Sequence, residues 1–533
     1  MTRAGSHVRR TLADIRRGGG IRAALETSQP YDAADVMTSE VAAWSPGRDH
    51  PDRELGWARD TVTARARDLA RNNGFAAGAV QREVDSVVGA RFRPTSRPDW
   101  RALGIDRETA QAVGAQMDAA WRTWADDPLM RCDASRALDW GGLVALGYRT
   151  YFLEGDALAV LHWDEGATGF RTRLRVVDPD LLDNPQGMTD RIDMRRGVEI
   201  DEHGAALAYH FRRDHPSAMW GGQSWAFDRI ERETEWGRPQ IVHFFDKHRD
   251  GQSRGVSRLA PVSDALKMED KYGRVELQAA VLSAILGVYV RSQLAPDEVS
   301  DLLSDGKFLA LNDARRELIG ANGLTFGGVR MPVLPPGDSI DTVKAERPGG
   351  SFEAFEAAVL RRIAAGLGTS YEQLAVDWSK TNYSSARAAL VEIWRGWTAR
   401  RVSFAQRWCA PIRLAVMEDA IDQGLVELPA GAPAFWEAPG AWLRAKWIGP
   451  GRGFVDPTKE AQAAAMRVSL GLSTMEDEAA ELTGADYEDN LAQLSREIAE
   501  MPEGVLHPAQ ERFAELIGGE HASDRDAGPA STA

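Results

Sequence analysis

The chain is predicted to be α+β, and the order of its hydrophobic periodicities carries that prediction. Apolar residues recur at helical spacing up to about residue 153, alternate over short runs between 156 and 245, and return to helical spacing in two long stretches after 254. Helices followed by hairpins, rather than strand and helix in strict alternation, give that class. At 533 residues a single compact core is not expected, and two to four domains fit the length.

In order, residues 1–50 are rich in Gly, Ser, Arg and Ala and read as a flexible arm. Residues 1–29 carry six Arg against Asp14 and Glu26. A solvated tail is the plain reading of that charge, and a tail that touches nucleic acid is the sharper one. A helix is expected over 51–72, broken at Asn72-Asn73-Gly74, and a second over 75–88 with Val80, Val84, Val87 and Val88 on its apolar side. Further helices follow over 106–125 and 137–153. Residues 157–163 and 172–177 read as a hairpin, 197–200 and 207–211 as another, and 240–245 as a further strand. After Arg254-Gly255-Val256-Ser257 a long helix runs to about 285. Leu259, Val262, Leu266, Tyr272, Val275, Leu277 and Val281 mark its buried side. A turn-rich mixed stretch occupies 287–346, with strands expected at 288–290 and 307–311.

The stretch 347–424 reads as helix, exposed loop and a much longer helix. Phe352, Phe355, Val359, Ile363 and Leu367 share one face of the first, with Gly366 and Gly368 as its stop. Tyr371, Trp378, Lys380 and Tyr383 lie in or beside the loop. The long helix opens at Ser384-Ser385, and Pro411 predicts a kink in it. Pattern alone reads this as a helical hairpin. Beyond 424 the chain is Trp-rich, then helical from about 457 to 501. Residues 519–533 read as a disordered tail.

Composition excludes several classes. No run of eighteen apolar residues exists, so no membrane span is expected, and the N-terminus lacks a secretory pattern. Cys132 and Cys409 are the only cysteines, without metal-ligand spacing. The formal net charge is −15, and residues 456–533 carry seventeen acids against five bases. That balance argues against tight or sequence-specific DNA binding, which rests on clustered Lys and Arg. It suits a wall along which a polyanion slides. No phosphate-binding loop, nucleophile elbow, HExxH or EF-hand sequence occurs. The densest set of possible metal ligands is His243, Asp246, His248 and Asp250, five residues apart at its histidines and poor in geometry. Glu83 and Asp85 point to different sides of a helix and cannot act as an acid/base pair. Among 17 Trp, Trp394, Trp397 and Trp408 on the long helix read as core or subunit interface rather than as a base-stacking platform.

Four stretches resemble, in order and spacing, the lambda-type phage portal proteins. They are ARARDLARNNGFAAGAVQREVDSVVG near 65–89, HFFDKHRDGQSRGVSRLAPV at 243–262, IAAGLGTSYEQLAVDWSKTNYSSARAAL at 363–390, and WIGPGRGFVDPTKEAQAAAMRVSLGLST ending at 474. Asp178-Pro179-Asp180-Leu181 resembles the turn after that family's first hairpin, and the likeness covers about 58–500. The resemblance implies an α+β portal fold with an α/β wing, a two-helix stem, a small mixed α/β clip insertion, a long kinked helix and a helical C-terminal crown. On this chain it places an arm at 1–50, the wing at 51–253 and stem helices at 254–286 and 347–368. The clip falls at 287–346, a channel loop at 369–383, the kinked wing helix at 384–424, the crown at 425–518 and a tail at 519–533.

What the resemblance implies about function is a homo-oligomeric ring of about twelve subunits, closed head to tail, at one capsid vertex. The ring would be the channel for DNA packaging and ejection. Its partners would be the terminase large subunit, head-completion or tail connector proteins, and the major capsid or scaffold protein. Double-stranded DNA would pass without sequence specificity. The chain would sit in the virion, and in host cytoplasm during assembly, with no cofactor, no metal, no membrane and no catalysis. Tyr371, Trp378, Lys380 and Asn382 on the channel loop would face the DNA. The alternatives are another structural head protein, such as a minor capsid component, or a metal-dependent hydrolase built around His243.

Overall fold

A computed structural model describes residues 43–56, 58–217, 226–285, 289–291, 324–326, 329–331, 339–341, 352–380, 383–454, 456–502 and 507. The described elements run α1 (Pro51–Gly56), α2 (Ala58–Asn72), α3 (Gly74–Val87), β1 (Arg93–Ser96), α4 (Arg107–Ala125), α5 (Trp140–Glu154), β2 (Asp156–Trp163) and β3 (Thr172–Val177). Next come β4 (Met194–Arg195), β5 (Val198–Ile200), β6 (Ala206–Arg212), β7 (Phe227–Glu231), β8 (Ile241–Phe245) and α6 (Ser263–Ile285). Four short strands follow, β9 (Tyr289–Arg291), β10 (Leu324–Phe326), β11 (Val329–Met331) and β12 (Ser339–Asp341). The rest is α7 (Phe352–Leu367), α8 (Tyr371–Ala375), α9 (Tyr383–Phe404), a π turn (Ala405–Cys409), α10 (Ala410–Asp422), β13 (Ala445–Ile448), α11 (Pro457–Ser469), α12 (Met475–Thr483) and α13 (Tyr487–Glu500).

Contacts divide the chain into two compact units. The smaller gathers residues up to Thr61, Asp180–Ile230 and Asp246–Val256. Its sheet is ordered β4-β5-β6-β7. The buried Arg254 guanidinium donates to the Leu182 and Arg196 carbonyls at 2.9 and 3.0 Å. Asp52 accepts from the Ser253 amide at 2.8 Å. The stretch 51–253, expected as one wing, is thus shared between units, because β8 returns to pair with β2.

The larger unit holds the main core. Its sheet is ordered β3-β2-β8, antiparallel throughout, with Leu158 opposite both Val177 and His243. α3, α5 and the π turn pack around it through Val80, Val84, Leu143, Val144, Phe244, Phe404 and Trp408, all buried. Each such side chain contributes about 1.5–3 kcal/mol by leaving water. The helix starts follow local chemistry: Asn73, Asp106 and Asp139 are N-caps whose side chains accept from Ala76, Thr109 and Gly142 amides. One pairing crosses the chain. β1 joins β13 with Arg93 opposite Ile448, and Phe92 stacks on Trp447 at 5.4 Å.

Three expectations change. The kink predicted at Pro411 takes the form of the π turn just ahead of it, where the Ala410 amide donates five residues back to Ala405. Pro411 offers no N–H and crowds the turn before it, so the widened turn sits on its N-terminal side. Among the described side chains, the expected buried side of this stretch is buried only at its start, and Val281 lies outside them. Leu259, Val262 and Leu266 are in the core, whereas Tyr272, Val275 and Leu277 are 38%, 52% and 67% exposed. Helical periodicity identifies an apolar face but not what covers it. Finally, 369–383 is not loop throughout, since α8 forms inside it. Of the remaining expectations, the strand at 307–311 and most of 1–50, 287–346 and 519–533 lie outside the described residues.

Candidate functional site

The site is built where α7 hands over to α9. Helix α7 stops at Leu367 because Gly368 adopts a left-handed φ of 71°, a conformation glycine takes without strain. The Thr369 amide then closes back onto the Ala364 carbonyl at 3.0 Å. Ser370 caps α8, its hydroxyl accepting from the Gln373 amide at 3.2 Å. Leu374 is buried, and the Leu374 carbonyl accepts from Arg82 of α3 at 3.0 Å. Val376 ends the helix at φ 55°, a strained conformation for a β-branched residue, and its side chain is 66% exposed.

Asp377 organises the turn beyond α8. Its carboxylate accepts from the Ser379 amide at 3.0 Å, the Ser379 hydroxyl at 2.6 Å and the Tyr371 hydroxyl at 3.4 Å. The Ser379 bonds hold this carboxyl below its usual range, so it is ionised at neutral pH. The Tyr371 hydroxyl is pushed up, by burial first and then by Asp377. Arg361 of α7 lies 5.0 Å over the Tyr371 ring. Lys380 forms an ion pair with Glu353 of α7 that raises its ammonium pKa, and both side chains are well exposed. Trp378 is 43% exposed.

The four residues singled out from the sequence therefore fare differently. Tyr371 is half-buried on α8 and engaged with Asp377 and Arg361. Trp378 and Lys380 lie on the exposed turn. Asn382 lies outside the described residues. Three further residues support the site, and of these the sequence reading weighed Glu83 only as half of an acid/base pair. Glu353 partners Lys380 from 27 positions earlier. Arg82 and Glu83 are adjacent on α3 and reach different elements. While Arg82 reaches α8, Glu83 is buried, accepts from Tyr148 at 2.9 Å, Trp397 at 2.8 Å and Arg400 at 3.3 Å, and forms an ion pair with Arg400. A carboxylate on the apolar side of a Val-rich helix was the available signal.

The long helix is fixed below the loop by this network and by aromatic packing. Phe404 stacks on Trp408 at 4.9 Å, and Trp140 on Trp408 at 6.1 Å. Gly147 lets that indole approach, because a Cβ there would come within 2.7 Å of the ring. Arg401 donates to the Val87, Ser86 and Pro450 carbonyls, and burial lowers its pKa to about 10. Trp397 and Trp408 are thus core, and Trp394 lies under the Arg401 guanidinium.

The hydrolase alternative finds a different arrangement. His243 is on β8 with its ring 3% exposed, bonded to Asp156 at 3.0 Å and tilted against Phe245. Among the described residues, no group of three potential metal ligands includes it.

Comparison with known proteins identifies the family. The profile "Phage portal protein, lambda family" matches residues 38–401. The chain is 36% identical over 479 residues to the portal protein of Escherichia phage N15, covering 88% of this chain and 89% of that one. It is 35% identical over 508 residues to portal protein B of Escherichia phage lambda, covering 93% and 94%. Among solved structures it is similar to a chain in the neck of an empty GTA particle, computed with C6 symmetry. That likeness is at 13% identity and TM-score 0.42, covering 84% of this chain and 98% of that one. With a family profile spanning most of its length and relatives above 30% identity along nearly all of it, this chain belongs to the lambda family of phage portal proteins.

Proposed function

We propose that the chain is one subunit of a closed ring at a single capsid vertex, the channel through which double-stranded DNA is packaged and ejected. Family membership along most of the chain is the observation that carries this reading. The ring has about twelve copies closed head to tail. It docks the terminase large subunit during packaging, and head-completion or tail proteins afterwards. The major capsid or scaffold protein surrounds it. The complete ring forms in host cytoplasm and remains in the virion.

The segment 369–383 is the proposed DNA-facing element, and the electrostatics of its described residues support sliding over gripping. Lys380 is balanced by Glu353, and Glu372 and Asp377 lie alongside, so one subunit offers no surplus of positive charge there. DNA meeting such a turn is contacted through its phosphates, without base reading and without condensation onto the wall. Trp378 supplies an exposed, stiff surface at the same level. No reaction is assigned to the chain, and His243 serves as a structural partner of Asp156.

Light scattering on a sizing column with negative-stain imaging tests the ring. A particle of about 700 kDa with a central hole is expected, twelve times the 58.4 kDa subunit. A chain that stays at one copy across concentrations overturns the ring. Replacing Trp378 and Lys380 together with Ala is expected to leave the particle intact and to lower packaged-DNA yield or retention. Normal yield from that variant overturns the loop assignment alone.

A further inference from the structure

The two stem helices leave an apolar groove open between them. Met268, Tyr272, Phe352, Phe355 and Val359 line a space of about 340 Å³. Tyr272 stacks on Phe352 at 5.5 Å and tilts against Phe355 at 4.9 Å, so the aromatic floor is preformed. Yet Met268 is 63% and Phe355 51% exposed. Val275, 52% exposed, extends the same stripe of α6 one turn further.

The rim of the groove is acidic, with Asp264, Glu269 and Glu356 against Arg362. Burial, and then the like charges of Glu356 and Asp270, hold the Glu269 carboxyl above its usual range against the Asn73 hydrogen bond. With three acids against one base, the rim is net acidic. Across α6 lies the complement. Lys267, Lys271 and Arg274 fall at steps of four and three on a face roughly opposite the groove, all exposed. Lys267 reaches Asp68 at 3.7 Å and Arg274 reaches Asp270 at 3.1 Å, whereas Lys271 has no ion-pair partner among the described residues.

We propose that this groove receives the Lys267–Lys271–Arg274 edge of α6 from a second copy of the chain, forming the subunit contact at the stem. The inference rests on the ring reading and assigns its contact surface. Aliphatic stems of Lys and Arg cover the aromatic floor while their charged heads meet the acidic rim. The giving and receiving faces lie on opposite sides of one helix. A two-fold contact cannot satisfy both, so the contact runs head to tail and propagates until it closes.

Three variants of the full chain test this by light scattering and thermal denaturation. F355D is expected to lose assembly to a 58.4 kDa species while keeping its thermal midpoint, because Phe355 is largely exposed in the single chain. K271E and E356K are each expected to raise the half-assembly concentration about tenfold, and K271E/E356K together to restore it to within about threefold of the parent. F355D assembling like the parent overturns the groove, and a double variant no better than the singles overturns the charge pairing. In both cases the parent still forms rings, and the ring reading stands. A parent chain that never exceeds one copy overturns the ring and this contact together.

Discussion

The long helix and the α6–α7 pair use the same kind of residue for opposite ends. Around the π turn, Phe404, Trp408 and Cys409 are fully enclosed by Tyr148, Trp140, Phe244 and the flat face at Gly147. On α6 and α7, Met268, Tyr272, Val275 and Phe355 are also apolar yet exposed. The first set completes a core inside one chain. The second is open to solvent in the single chain, and the proposed subunit contact would cover it. Stability and assembly are thereby separated along one connected run of helices, and substitutions can be chosen to disturb either one.

The sharpest break is expected at Glu83. Changing Glu83 to Ala leaves Arg400 and the Trp397 and Tyr148 donors facing a cavity, and is expected to cost about 3–5 kcal/mol in urea denaturation. A loss below about 1 kcal/mol would mean that the network does not hold the long helix. Gly147→Ala comes next. The added methyl meets a rigid, buried indole, with an expected cost of about 1–3 kcal/mol. A smaller effect would show that the π turn can yield.

Arg467→Gln, in the C-terminal helices, should be milder. Solvent reaches the guanidinium, so about 0.5 kcal/mol is expected at neutral pH. The sign follows from Glu478, whose carboxyl Arg467 holds below the usual range. That stabilisation is present above the unfolded carboxyl pKa of about 4.3 and disappears as pH falls through the folded one. The gap in thermal midpoint between parent and variant should accordingly close in acid. The least thermal effect belongs to Trp378→Ala and Lys380→Ala, whose midpoints should match the parent because both side chains stand in solvent. A large shift in either would move the turn from the uncovered to the enclosed class.

Local chemistry was legible in the sequence wherever it acts over a few residues. The helix over 106–125, Gly368 as a helix stop and the 157–163/172–177 hairpin all follow from neighbouring positions. What was hidden acts at a distance. Nothing near Lys380 announces Glu353, and nothing near Glu83 announces Arg400, 317 positions away. Tyr272 and Val275 show the same limit from the other side. Their spacing gives a correct apolar face and a wrong inference about burial, since periodicity cannot distinguish a face covered by its own chain from one left for a neighbour.

The β1–β13 pairing carries a consequence in time. Arg93–Ser96 must wait for Ala445–Ile448, and Phe92 for Trp447, before either is satisfied. At a ribosomal rate of about 5–20 residues per second, the interval between the two strands is on the order of 20–70 s. Throughout that interval the nascent chain presents an open strand edge and an uncovered aromatic ring, the kind of surface that recruits unwanted partners. A chain that stopped short of residue 445 would keep that edge permanently, which couples completion of synthesis to the first moment at which a subunit is safe to meet another.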